Sequence, residues 1–385
     1  MSERRVGSGD PSRGPPGPTA ERLRSLDAFR GLTVAAMIFV NNPGTWRHLY
    51  PALRHADWNG CTLADLVFPF FLFIVGVAIT FSLAAAQRDG AKRLQLLVKV
   101  LRRTIIIFGL GLFLNGFPFF NFGSLRIPGV LQRIALCYCF ASLTVMSVGT
   151  RGQAGITALL LVGYWIALRW IPVPGHDAGA LQRGANLAAY IDSLWLHDHM
   201  LRSHWDPEGV LSTLPALATT LCGVLTGHWL RSPRAKLERT VGLFVAGNVG
   251  IMLGLIVDFW FPINKSLWTS SYVLFTAGAA LNVLGLCYWL IDVRGYQRWA
   301  QPFVIYGTNP ILAYLLPSLL DKALLSGSVT RRDGTTVLLK THVFERWFLP
   351  WASRAHASVL YAATDVLLWL GVMAILYRRR IFIKI

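Results

Sequence analysis

The chain has 385 residues, 54% of them hydrophobic and only 15% charged, with a formal net charge of +18. Soluble domains carry about a quarter charged residues, so this composition excludes a water-soluble globule. No DNA- or RNA-binding motif accompanies the positive charge, so nucleic acid is not expected as a partner; apolar runs of about 17–22 residues point instead to a lipid bilayer with a hydrocarbon core of about 30 Å.

Residues 1–24 are rich in Gly, Pro and Ser around positions 7–18 and have no apolar core. They read as a disordered cytoplasmic tail and not as a signal peptide. Residues 25–385 then form one membrane domain. Spans are expected near 29–44, 66–87, 101–119, 129–148, 155–171, 211–230, 240–261, 270–291, 302–320 and 357–377. Lipid offers backbone polar groups no partner, so each must be helical. The fold class is therefore all-α, a polytopic bundle of about ten transmembrane helices. Lys and Arg cluster in the tail, in 88–103, in 231–239 and in 378–384. By the positive-inside bias both termini are cytoplasmic, and the long loops near 172–210 and 321–356 face outward. This is the arrangement of a multi-pass inner-membrane protein.

In the first span Asp27 and Arg30 stand three residues apart, on one helix face. They serve either as a helix-start anchor or as cofactor contacts. Asn41 and Asn42 fall at the outer end of this span, His48, His55, Asp57 and Asn59 in the loop that follows, and Asp65 at the start of the second span. Antiparallel neighbours bring the outer ends of both spans together, so Asn41, His55 and Asp65 can meet at one level. A donor, a base and a carboxylate to orient the base suit acyl transfer. Further along, the basic residues Lys92, Arg93, Arg102, Arg103, Arg231, Arg234 and Lys236 lie at the cytoplasmic rim as topogenic charges or phosphate ligands. Arg133 lies inside the fourth span, where an Arg is costly and by default functional; pairing with Asp258 or Asp365 is the structural alternative. The ninth span, FVIYGTNPILAYLLPSLL, carries Tyr306, Asn309, Tyr314 and two prolines. It reads as a polar, kinked helix that lines a tunnel or hydrogen-bonds its neighbours. The five cysteines, Cys61, Cys137, Cys139, Cys222 and Cys287, form no C-x-x-C pair and read as small buried hydrophobes.

The stretches SLDAFRG (25–31), FVNNPG (39–44), HADWNGCTLADLVFPFFLFIVG (55–76), PGVLQR (128–133), DPEGVLSTLPA (206–216) and YGTNPILAY (306–314) together resemble the heparan-alpha-glucosaminide N-acetyltransferase family, including its bacterial branch. More broadly, the chain is similar to transmembrane acyltransferases that open with an arginine-bearing helix. The resemblance implies transfer of acetyl from cytosolic acetyl-CoA to the amine of a terminal glucosamine on the opposite face. It implies His55 as the active-site histidine, with Asn41 and Asp65 beside it. With acetyl-CoA as donor substrate and no metal required, the rim, intramembrane and ninth-span positions of Arg30, Arg102, Arg103, Arg133 and Asn309 make them the expected acetyl-CoA contacts. The animal members carry a further luminal domain and one further span ahead of this core; the expectation here is ten spans and an amino-sugar or glycan acceptor other than heparan. A homodimer follows by analogy with those relatives.

Two chemical routes stay open: His55 as general base in a ternary complex, or His55 as acetyl carrier. In the outer loop, His197, Asp198, His199 and His204 match no standard zinc spacing. That loop reads better as a lid over the acceptor, with Asp206 and Glu208 attracting its amine. The competing function is an amino-sugar or oligosaccharide transporter without acyl transfer.

Overall fold

The computed structural model describes residues 23–83 and 93–383. The expected tail, apart from its last two residues, Lys92 and the end of the expected span 66–87 lie outside the described residues. A helix occupies each of the ten expected positions. They are α1 (Arg24–Asn41), α2 (Leu63–Leu83), α3 (Arg93–Gly116), α4 (Val130–Ser147) and α5 (Thr150–Trp170), then, after the short outer helix α6 (Leu187–Leu196), α7 (Thr213–Leu230), α8 (Lys236–Asp258), α9 (Ser270–Tyr288), the pair α10 (Gln301–Thr308) and α11 (Pro310–Ser326), and, after α12 (Leu339–Trp347), α13 (Arg354–Arg378). Among the described residues, six of these helices are long and apolar enough to cross a membrane, and α10 with α11 makes a seventh if the pair is one span. An antiparallel hairpin, β1 (Ser328–Thr330) with β2 (Thr336–Leu338), sits between α11 and α12 in the register Ser328↔Leu338.

The expected kink in the ninth span is a break. α10 and α11 meet at 85° across Asn309. Pro310 has no N–H to continue the α10 ladder, and the residue before a proline is pushed out of the helical region; Asn309 adopts φ −131° and ψ 57°.

The core runs along α1, α2, α4, α7 and α9, and two of its crossings are backbone to backbone. A Cβ on Gly76 would lie 1.9 Å from the carbonyl oxygen of Thr220, and one on Gly223 would lie 1.9 Å from that of Phe73. Only glycines allow α2 and α7 to approach so closely. The same holds for Gly31 of α1 and Gly307 of α10. By contrast, α5, α8 and α13 leave apolar stripes exposed, for example Leu159, Val162 and Ile166, or Val241, Val245 and Val249. Stripes of that length are unfavourable against water and favourable against acyl chains.

The α2–α7 crossing fixes the middle and C-terminal half of α2 against α7. Gly223→Val is expected to push the two helices apart at a cost of roughly 1–3 kcal/mol. The check is a lower melting temperature of the detergent-solubilised protein, with Gly149→Val, where a Cβ meets nothing within 4 Å, as the matched control.

Candidate active site

Asp65 lies in the first turn of α2, where the helix dipole favours a negative charge. Its side chain is fully buried, and its oxygens are filled by donors. Oδ2 accepts from Ala56 N at 3.0 Å, Thr62 N at 3.1 Å and Thr62 Oγ1 at 3.0 Å. Oδ1 faces His55 Nδ1 at 2.7 Å and Lys265 Nζ at 3.2 Å. A lysine ammonium has only donors, and it stands 3.1 Å from the same His55 Nδ1. With the carboxylate accepting at 2.7 Å, Nδ1 carries the hydrogen and donates it to Asp65. The lone pair of the neutral imidazole is then on Nε2. The imidazole is about one-third exposed, with 36% of its side chain accessible.

The structure therefore joins His55 and Asp65, as the sequence expects, and adds Lys265, which sequence reasoning missed. Lys265 reaches the pair because the α8–α9 loop is tied to the α1–α2 loop. Gly60 N donates to Ile263 O at 2.7 Å, and Asn264 Nδ2 donates to Asn59 Oδ1 at 3.0 Å. Asn264 also braces its own loop by accepting from Leu267 N at 2.9 Å. Gly60 adopts φ +102°, which suits glycine. Nearby Cys61 is pushed up to about 12 by burial and by the Asp65 charge, against the pull of Lys265. A thiol so shifted is protonated at neutral pH and is a poor nucleophile.

His55, Asp65 and Lys265 line a cavity of about 520 Å³, shared with Asn41, Glu208 and Tyr314. Asn42, beside Asn41, is committed to α13 through a 2.9 Å hydrogen bond to Asp365. The outer loop closes one wall with Arg202, Trp205 and Pro207. One expectation for this loop needs correction. Asp206 is not available to an acceptor: Arg126 grips it bidentately, through Nε at 2.8 Å and Nη2 at 2.6 Å, while Leu201 N and Glu208 N donate to its two oxygens. Glu208 keeps a place on the cavity wall but also accepts from Arg126. Burial pushes Asp206 up, but its hydrogen bonds with Arg126 and the guanidinium charge outweigh burial and hold it below the usual carboxylate range. Among the described residues, no three His, Cys, Asp or Glu side chains are grouped to hold a metal ion.

A second cavity, of about 440 Å³, lies at the other end of the same helices, lined by Asp27, Arg30, Arg103, Tyr138, Pro310 and Ile311 among others. Ile107 of α3 and Ile134 of α4 line this cavity, while Gly111, one turn along α3, and Leu131, one turn back along α4, line the first. On α11 the sequence Pro310, Ile311, Tyr314, Ser318 passes from one cavity to the other. The two spaces thus follow one another along a common axis through the bundle.

The basic and amide candidates separate. Arg30 donates to Gly307 O at 3.2 Å and pairs with Asp27 at 3.4 Å on the second cavity's wall. Arg103 lines the same cavity, its guanidinium 4.7 Å from the Tyr138 ring centroid. Arg102 is exposed and is not among the residues of either cavity. Arg133 is buried and pairs with neither Asp258 nor Asp365. Its Nη2 donates to Gly209 O at 3.1 Å and Ser212 Oγ at 2.5 Å, and it stacks 5.0 Å from the Trp268 ring. It lines a separate space of about 270 Å³ that also touches Phe140 and Leu214. Asn309 spends its carboxamide on backbone, donating to Ile381 O at 3.0 Å and accepting from Ile383 N at 2.9 Å.

Residues 22–254 match the family model described as heparan-alpha-glucosaminide N-acetyltransferase, catalytic. A mouse protein named heparan-alpha-glucosaminide N-acetyltransferase is 30% identical over 95% of this chain and 61% of its own length. The human protein of that name is 30% identical over 94% of this chain and 60% of its own. The chain therefore spans about three-fifths of the length of these curated relatives.

The Arg126–Asp206 pair has a measurable signature. A carboxylate held below its ordinary value of about 3.9 adds stability that is fully present above that pH and is lost as pH falls through the folded value. Arg126→Leu is expected to cost roughly 3–5 kcal/mol, because it strands a buried charge. Below about pH 4 the gap between variant and parent should narrow, read as melting temperature against pH.

Proposed function

The chain belongs to the heparan-alpha-glucosaminide N-acetyltransferase family, and from that membership we propose that it is a transmembrane acetyltransferase. It takes acetyl from acetyl-CoA bound on the cytoplasmic side and places it on the amine of a glucosamine-type sugar on the periplasmic side. All ten long helical positions then count as spans, both termini lie in the cytoplasm, and the protein sits in the inner membrane. The observation that carries this reading is the pair of consecutive cavities, one walled by Arg30 and Arg103 and the other by the His55–Asp65–Lys265 cluster.

The chemistry follows from what lipid forbids. The phosphates of acetyl-CoA cannot enter hydrocarbon without a prohibitive desolvation cost. The nucleotide stays at the Arg30 and Arg103 end, and the slender pantetheine arm reaches along the common axis. In the polar cavity the acceptor nitrogen attacks the thioester carbonyl carbon. As the C–N bond forms, Nε2 of His55 removes the amine proton. The carbonyl oxygen gains charge, and Asn41 stands on the same wall as a hydrogen-bond donor for it. The C–S bond breaks, CoA leaves as a thiolate, and the proton held on His55 returns to it. Asp65 keeps the hydrogen on Nδ1, so that Nε2 is the basic nitrogen throughout.

Lys265 completes the electrostatics. The ammonium stands 3.2 Å from Asp65 Oδ1 and 3.1 Å from His55 Nδ1, so it braces both members of the pair and shares the buried carboxylate's charge. Lys265 is thus a positioning residue that acts through Asp65 and His55.

Purified protein in detergent, given labelled acetyl-CoA and a panel of amino sugars, is expected to form the N-acetyl sugar. His55→Ala should reduce turnover per folded molecule at least about 10²-fold, the lower range for loss of a positioned acid–base group, and lower the melting temperature because buried Asp65 loses one of its donors. Lys265→Met should lower kcat with little effect on the KM for acetyl-CoA, and Lys265→Arg should restore part of the loss. Full turnover in His55→Ala would remove His55 from the chemistry, whereas sugar uptake into vesicles without any thioester, and no N-acetyl product, would count for a transporter instead.

A further inference from the structure

The acetyl-CoA reading leaves one built feature unused, the turn that follows α13. Arg380 N donates to Tyr377 O at 3.0 Å, and Ile381 N donates to Leu376 O at 2.9 Å. This double bond pattern ends a helix with one residue in the left-handed region, a position at which glycine is the usual occupant. Here the residue is Arg380, at φ +57°. A side chain there is less favourable than glycine by about 1 kcal/mol. The ring of Phe382 then packs edge-on against Tyr377, with centroids 6.1 Å apart.

The turned-back segment is clamped. Asn309 is itself buried, and its carboxamide donates to Ile381 O and accepts from Ile383 N, as a neighbouring strand would. Asn309 sits at the α10–α11 break, immediately before Pro310 and Ile311, which line the Arg30 cavity. The amide therefore fixes the segment beside that cavity's wall. It holds in place an exposed run of three cations, Arg378, Arg379 and Arg380. Positive charge at the end of α13 would complement the helix dipole wherever it lay. That general effect requires neither a guanidinium in the left-handed position nor a buried amide to hold the strand.

We propose that this hook is a phosphate-binding element of the donor site, in which Arg379 and Arg380 hold the phosphates of the CoA nucleotide while Arg30 and Arg103 face the start of the pantetheine arm. A guanidinium suits the task because its forked donors match phosphate oxygens two at a time. The role of Asn309 is correspondingly indirect: it positions the hook and does not touch the donor. The inference rests on the acetyl-CoA reading and adds the place where the nucleotide is recognised, outside the region 22–254 matched by the family model.

The test compares two donors on the full chain in detergent: acetyl-CoA, and S-acetyl-pantetheine, which has the same thioester arm and no nucleotide. The readout is the ratio of kcat/KM for the first over the second within each variant, which cancels partial loss of folded protein. Arg379→Gln and Arg380→Gln are each expected to lower that ratio about tenfold, the size of one charge-assisted hydrogen bond. Arg380→Gly should lower it equally, although it relieves the backbone and raises the melting temperature. Turnover with an unchanged ratio in all three variants overturns the inference and leaves the acetyl-CoA reading standing. Absence of turnover with either donor in the unsubstituted protein overturns both.

Discussion

A single buried carboxylate organises the polar end of this bundle. Asp65 is removed from water at the start of an apolar helix, and such a group persists only if its charge and lone pairs are matched. Three donors come from the loop just before it, one from His55 and one from Lys265. Together these matches tie down two stretches of chain, the α1–α2 loop that carries His55 and the α8–α9 loop that carries Lys265. Tyr272 of α9 adds a hydrogen bond from its hydroxyl to the Asp65 carbonyl at 2.5 Å. The demand of one anion for partners thus positions a base with a defined tautomer. The same demand brings in the Lys265 ammonium as a second partner of the carboxylate.

The second constraint is the bilayer, which separates the charged part of the proposed donor from its reactive part. Side-chain chemistry in the two cavities follows that division. One end is walled by arginines and apolar side chains of α3 and α4, and the other by a mixed set of His, Asn, Lys and carboxylates. Glycine-mediated crossings keep the helices that carry these walls in register. The Gly31 and Gly307 contact locks α1 to α10 near the arginine end, and the Gly76 and Gly223 contact locks α2 to α7. Rigid walls matter for the proposed transfer between two substrates, since misplacement of about 1 Å costs orders of magnitude in rate.

The helix positions were legible because apolar runs of membrane length leave the backbone one choice. The His55–Asp65 contact was legible because the two residues are ten apart and flank a helix start, so local geometry brings them together. Lys265 was not legible, because nothing in residues 259–269 marks a lysine there as more than an outer-loop charge. Its role exists only once Gly60, Asn59 and Asn264 join two distant loops. Asp206 misled for the same reason. An acidic loop residue reads as available until a partner is found, and Arg126 is about 80 residues away in sequence. For the ninth span the prolines signalled a kink, but the 85° break also needs the buried Asn309 and the segment it clamps.

The proposed reaction joins a donor on one side of a membrane to an acceptor on the other. Proteoliposomes with glucosamine trapped inside and labelled acetyl-CoA supplied only outside test it most directly. Labelled N-acetylglucosamine accumulating in the lumen, without entry of the CoA moiety, is the expected result. Product confined to vesicles in which donor and acceptor share a compartment would contradict it.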